Sequence, residues 1–180
     1  MLRLLTALYF VTISLSNAGV YGTLEFGDTR EEVTKKLQAS EMVEHQLDSA
    51  FFGRTGLNGV FKCKAKLAGL TYHLYFDWTD SGGLREITLR SNEISLNEFN
   101  GSLKDAWTEA NKLFTQVYNR PVQAATYPAK RDLEKHDILI THVWHQGARQ
   151  SILIGPGAHK NKCFLAIRFV NEHIKPVRVP

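Results

Sequence analysis

The chain switches between two hydrophobic periods. Val33 and Leu37 stand one helical turn apart, just after Thr29-Arg30-Glu31-Glu32, whose Thr-x-x-Glu spacing lets a hydroxyl and a carboxylate cap a helix reciprocally. Phe26 precedes the cap and is placed to pack against the helix start. Ser95-Leu96-Asn97-Glu98 repeats the device. Leu96, Phe99, Leu103, Trp107, Ala110, Phe114 and Val117 then recur at three- and four-residue steps, the mark of an amphipathic helix. Gly101 weakens the first turn, so this helix is expected to begin near Ser102, and Pro121 ends it.

Elsewhere the period is two. Across 61–67 one face carries Phe61, Cys63, Ala65 and Leu67, and the other Lys62, Lys64 and Lys66. Across 70–78, Leu70, Tyr72, Leu74, Phe76 and Trp78 oppose Thr71, His73, Tyr75 and Asp77. One wet side per strand favours an antiparallel sheet, with a hairpin through Ala68-Gly69 and a second through Asp80-Ser81-Gly82-Gly83 into 84–90. Further strands are expected at 138–145, 150–154 and 162–170, joined by Gln146-Gly147 and by a loop, GPGAHKNK. The halves echo each other: a capped helix, a strand ending in tryptophan (Trp78, Trp144), a glycine turn with Gly-x-Arg, and a second strand. The expected fold is α+β, a single antiparallel sheet with two helices packed on one face, loosely repeated as two helix-plus-hairpin halves.

The stretch LEFGDTREEVTKKL, from Leu24 to Leu37, resembles the Phe/Ile-Gly-x-Ser/Thr-x-x-Glu-Val-x-x-x-Leu opening of many small exported bacterial domains. These include the β-lactamase-inhibitor-protein-like and small outer-membrane-assembly lipoprotein folds. The resemblance implies a helix packed on an antiparallel sheet, and a sheet and loops that bind other proteins without catalysis. It rests on caps and core positions, so it carries over a fold and no site. The stretch GRTGLNGVFKCKAKLAGLTYHLYFDW is similar to exported bacterial proteins and brings no function with it.

The N-terminus supports export. Arg3, an apolar run from Leu4 to Leu15 and Ser16-Asn17-Ala18 form the three parts of a secretory signal peptide cleaved after Ala18. The apolar run is shorter than the roughly 20 residues that span a bilayer core, so no membrane span is expected after cleavage. Residues 19–180 then form one domain, periplasmic or secreted. In that compartment the two cysteines, Cys63 and Cys163, are permitted a disulfide. Asn100-Gly101-Ser102 is an Asn-x-Ser acceptor for glycosylation where the host glycosylates exported proteins. The formal net charge of +4 is mild and mostly unclustered, unlike the concentrated basic footprint of a nucleic-acid module.

Little of the candidate chemistry survives its context. Gly53, Gly56 and Gly59 recur every third residue, but a strand follows them where a phosphate cradle needs a helix N-terminus. They read as a turn requiring positive φ. His136, His142 and His145 are spaced so that no two can chelate one ion from an extended strand, and His142, aligned with Phe76 in the echo, reads as a packed core histidine. No G-x-S-x-G occurs, and cysteines in apolar company are inert. No catalytic residue, metal site or cofactor is assigned. What remains is the wet sheet face bearing Lys62, Lys64, Lys66, His73 and Tyr75, suited to an acidic surface on another exported or envelope protein. The expected function is a non-catalytic exported binding or envelope-assembly module. The alternative is a small exported hydrolase whose Cys/His site is assembled only in the fold.

Overall fold

A computed structural model of the chain describes residues 20–45, 56–133 and 137–176. The signal segment, Gly53 and His136 lie outside the described residues. The Thr29 capping box forms as its spacing predicts: the Thr29 hydroxyl accepts from the Glu32 amide, and Glu32 accepts from the Thr29 amide at 2.8 Å. It opens α1 (Arg30–Gln38), which buries Val33 and Leu37, while Phe26 packs against the core beside it. A cap of this kind contributes about 1 kcal/mol.

After α1 come β1 (Val43–His45), β2 (Phe61–Cys63), β3 (Tyr72–Trp78) and β4 (Leu84–Ser91), each antiparallel to the one before. A two-residue β5 (Ile94–Ser95) leads into the second helical region. Ser95 accepts from the Asn97 amide, but Glu98 does not close a capping box and instead accepts from the Ser102 hydroxyl. A 3₁₀ turn (Leu96–Glu98) and a wide turn (Phe99–Leu103), broken at Gly101 with φ −104° and ψ −110°, precede α2 (Lys104–Tyr118). The glycine therefore delays the regular helix slightly beyond Ser102, and leaves Asn100 exposed on the turn. Asn119, at φ +63°, stops α2 ahead of Pro121.

The rest is β6 (Gln123–Ala124), a short α3 (Lys130–Leu133), β7 (His142–Gln146), β8 (Gln150–His159) and β9 (Lys162–Val170). Among the described residues all strands join one nine-stranded antiparallel sheet in the order β1-β2-β3-β4-β9-β8-β7-β6, with β5 also on β9. The fold is α+β. Both α1 and α2 contribute to one large core on one face of the sheet, where Phe61, Tyr72, Leu74, Ile87, Leu89, Trp144, Leu165 and Ile167 are buried.

The strand order is itself a repeat, though not the helix-plus-hairpin one. Each half is a helix followed by four strands that run from a sheet edge to its centre, where β4 meets β9. By position β3 corresponds to β8 and β2 to β7, so the tryptophan echo, which equates β3 with β7, is offset by one strand. Two further expectations need correction. First, β2 is only three residues long. Lys62 pairs with His73, while the turn at Ala68 (φ +52°) and Gly69 (φ +77°) closes on Leu67 and Leu70. Two extra residues on the 62–67 side must therefore bulge out, which interrupts the ladder with β3 after Lys62, while the alternation of exposed and buried positions continues to Leu67. Second, GPGAHKNK is mostly strand: β8 runs through Gly155 to His159 and turns only at Lys160, at φ +55°. The glycines are needed for thinness. A Cβ on Gly155 would collide with the Leu139 carbonyl, and one on Gly157 with the Phe164 ring, while Pro156 offers only its carbonyl, to the Leu139 amide.

The Cys63–Cys163 disulfide is also overturned. Both thiols are free and buried. Cys63 lies on β2 and Cys163 on β9, with β3 and β4 between them. Three strand spacings amount to roughly 14 Å, about twice the Cα separation a disulfide tolerates. The compartment permits the bond, and the sheet forbids it.

Thiol titration of the purified protein in denaturant without reductant should therefore find both cysteines free. Gly155→Ala should lower the denaturant midpoint by about 1–3 kcal/mol equivalent, the usual cost of overpacking a full core.

Candidate functional site: the open face of the first half

Cross-strand register lays out the face opposite the helices in rows. One row runs Glu44 (β1), Lys62 (β2), His73 (β3), Arg90 (β4), Ala166 (β9), Gly155 (β8). The next runs Tyr75, Thr88, Arg168, Leu153, Val143, and a third Asp77, Glu86, Val170, Ser151, His145. The two ends of these rows differ. On the β7–β9 side, Val143, Leu153 and Val170 form a small buried cluster under Ile140 and Ile174. The C-terminal segment is tied down there: the Ser151 hydroxyl donates to the Glu172 carbonyl at 2.7 Å and accepts from the Ile174 amide at 2.9 Å. His145 and His173 stack with ring centroids 4.3 Å apart, each with Nε2 at a backbone carbonyl across the junction. On the β1–β4 side no described segment plays that part, and the side chains reach solvent.

This open half is a lattice of charges with internal partners. Lys62 Nζ pairs with Glu44 Oε1 at 2.5 Å, and Arg90 Nη2 with Glu93 Oε1 at 2.6 Å. Arg168 grips Glu86 with Nε and Nη2, both at 2.6 Å, and Arg85 pairs with Asp77. The Arg90 guanidinium lies 3.8 Å from the centroid of the Phe164 ring and 6.0 Å from that of Tyr75, which holds its plane against the sheet. Tyr75 is flanked on its other side by the Leu57–Val60 turn. The positive φ values of Gly56 and Gly59 (+72° and +76°) serve this turn, and a Cβ on Gly59 would stand 3.3 Å from the Tyr75 hydroxyl. Partial burial, and secondarily the charge of Lys62, hold the His73 imidazole below the ordinary histidine pKa.

Of the residues singled out in the sequence, Lys62, His73 and Tyr75 come together on this face. Lys64 and Lys66 are exposed but sit in the bulged stretch after β2, outside the register with β3, although the Lys64 amide still donates to the Met42 carbonyl on the β1 side. Sequence reasoning missed Arg90, Phe164 and the Arg168–Glu86 pair. Arg90 was within reach, because the Asp80–Gly83 hairpin sets it opposite His73. Phe164 and Arg168 were not, because nothing local reveals that β9 lies beside β4. A separate groove of about 650 Å3 between α1 and Met42 is rimmed by Glu32, Lys35 and Lys36, but Glu32 is committed to the cap and Lys36 to Asp28.

The groups a hydrolase would use are engaged elsewhere. Cys63 has the Tyr21 hydroxyl at 3.2 Å, and burial pushes its thiol up to about 11. Cys163 donates to the Ser95 carbonyl, and burial raises its pKa as well. His142 is buried between the Trp107 and Trp144 rings. The Thr141 hydroxyl donates to the Ile154 carbonyl and accepts from Trp107 Nε1, so His142 Nδ1, at 3.2 Å, must carry a proton and donate to it. That makes His142 a hydrogen-bonded core residue, in keeping with its sequence reading. Among the described residues no three metal-ligating side chains converge, and no helix is long and apolar enough to cross a membrane. No protein-family model, curated protein or solved structure matches the chain.

Burial pushes the pKa of His142 down to about 4 from 6.5. The unfolded chain therefore takes up a proton on this residue before the folded one does. The associated stability is present above pH 6.5 and is lost as pH falls towards 4. Denaturant midpoints across that window should decline less steeply for His142→Leu than for wild type, with His73 supplying a residual slope of the same sign.

Proposed function

We propose that the chain is an exported, non-catalytic binding or envelope-assembly module that engages an acidic surface of another exported protein through the open face of its first half. One observation carries the reading. The two halves share a strand order, yet the outer face of the second is closed by the protein's own C-terminal segment, while that of the first presents Lys62, His73, Tyr75 and Arg90 to solvent. Arginine and tyrosine held in fixed positions are the residue types that anchor protein interfaces. Lys64 and Lys66, exposed beside the face, supply positive charge that can steer an acidic partner at a distance. The resemblance of Phe26–Leu37 to small exported binding domains and the signal-like N-terminus point the same way.

Lys62→Glu, Lys64→Glu and Lys66→Glu combined should leave the far-ultraviolet circular dichroism unchanged, since exposed substitutions usually cost within about 0.5 kcal/mol each. The same variant should recover less of any partner from an envelope extract than wild type does, with the difference shrinking at high salt. Equal recovery from both would remove this face from consideration.

A further inference from the structure

The first row of the open face places three bases side by side. Lys62 and Arg90 are the registered partners of His73 on its two neighbouring strands, and directly opposed residues hold their Cβ atoms about 5 Å apart. The outer two bases each have an acid of their own, Glu44 on Lys62 and Glu93 on Arg90. With His73 neutral, the row together with Glu93 beside it has as many acids as cations. A single proton on His73 gives it one uncompensated positive charge, at its centre and on the exposed side of the sheet.

We propose that this row is a proton-gated docking site for carboxylate side chains of an acidic protein segment, one carboxylate seating over His73 between Lys62 and Arg90. The proposal rests on the reading of the open face as a binding surface and adds what that face selects and when. The groups around His73 support it from every side. Lys62 faces it from β2 and Arg90 from β4, with Thr88 on the diagonal, while Tyr75 flanks it along β3 and Thr71 just before that strand. Neither directly opposed residue is an acid: Glu44 stands one position beyond Lys62, and Glu93 follows the end of β4. Protonation is therefore opposed in the free protein, by burial first and by Lys62 second. A bound carboxylate reverses that opposition. Linkage then requires the reciprocal effect: a ligand that favours the imidazolium binds more tightly as pH falls through the histidine range. Arg90 is suited to help, because Phe164 fixes its guanidinium plane before any ligand arrives. Glu93, half-exposed at the rim of the row, is the acid that an incoming carboxylate would displace.

The test is a titration of the full mature chain with a hexa-aspartate peptide, followed by calorimetry between about pH 5.5 and pH 8, where histidine changes charge and aspartate does not. Wild type should bind more tightly towards the acidic end, by at most about tenfold per pH unit, the limit for uptake of one proton. His73→Gln should bind weakly throughout, as wild type does at the alkaline end. His73→Lys should bind tightly at every pH. The two His73 variants decide. Equal pH dependence in wild type and His73→Gln overturns the gate. Binding that is flat with pH in wild type but lost in the triple lysine variant also overturns the gate and leaves the binding face standing. Absence of peptide binding by both wild type and His73→Lys overturns the docking site itself, and equal partner recovery by the triple lysine variant then removes the broader reading with it.

Discussion

The pairing of β4 with β9 is the contact on which the rest of the molecule depends. Ile87 faces Phe169, and Leu89 faces Ile167, so each central strand gives the other its apolar neighbours beneath the helices. Cross-strand pairs of this kind contribute roughly 0.2–1 kcal/mol each beyond their burial. Their larger effect is topological. Each half ends on a central strand that would otherwise be an open edge, and unpaired edges invite aggregation. Joining β4 to β9 removes both edges at once and leaves the short strands β1 and β6 at the margins of the main strand order among the described residues.

The same pairing decides which surface is free. The helices cover one face along the whole sheet, so each half must still deal with its other face. In the second half β8 and β9 are buried on both sides, and Ile174 with the Ser151 hydrogen bonds completes the cover. Burying both sides of a strand demands apolar or very small residues at nearly every position, and the one long polar side chain in the middle of β9, Arg168, is paired with Glu86. Gly155 and Gly157 show the steric limit of that demand, where the chain at 137–139 presses on β8. In the first half β3 keeps alternation, with Tyr72, Leu74 and Phe76 inside and His73, Tyr75 and Asp77 outside, and β4 keeps it from Glu86 to Ser91, after a bulge at Arg85. One half uses its sequence to close itself, and the other leaves its outer face in contact with solvent.

What could be read from the sequence follows the range of the interactions that set each element. The Thr29 cap, the alternation of 72–78 and the Asp80–Gly83 hairpin are fixed by neighbours a few residues apart, and all are present. Glycine and proline usually break strands, so the sequence of Gly155–His159 suggests a loop; the reason they sit in a strand here is a segment some 16–20 residues earlier in the chain. The disulfide failed for the same reason. Both cysteines do face the core, as their alternation implies, but which strands lie between them is a property of sheet order alone. On the open face, Lys62, His73 and Tyr75 were legible as one wet side. The bulge that removes Lys64 and Lys66 from the register shows only in the mismatch between the Leu67–Leu70 bridge and the Lys62–His73 pair.

The charge lattice on that face is better understood by what it leaves exchangeable than by what it stabilises. The Lys62–Glu44 and Arg90–Glu93 pairs are about a third or more exposed on at least one partner, and pairs so placed contribute roughly 0–1 kcal/mol to folding. Arg168 and Glu86 are different: their two-pronged contact is partly buried, with Glu86 only 12% exposed, so removing one partner strands the other. The face thus combines one fixed ion pair near the sheet centre with weak pairs towards its rim. Weak pairs keep the free surface close to electrical balance, which limits indiscriminate attraction. They also cost little to replace: under the proposed function, a partner that brought its own carboxylates would have only to match a small energy to take the place of Glu44 or Glu93. Discrimination then falls to position, which the cross-strand register and the Phe164 ring beneath Arg90 hold fixed.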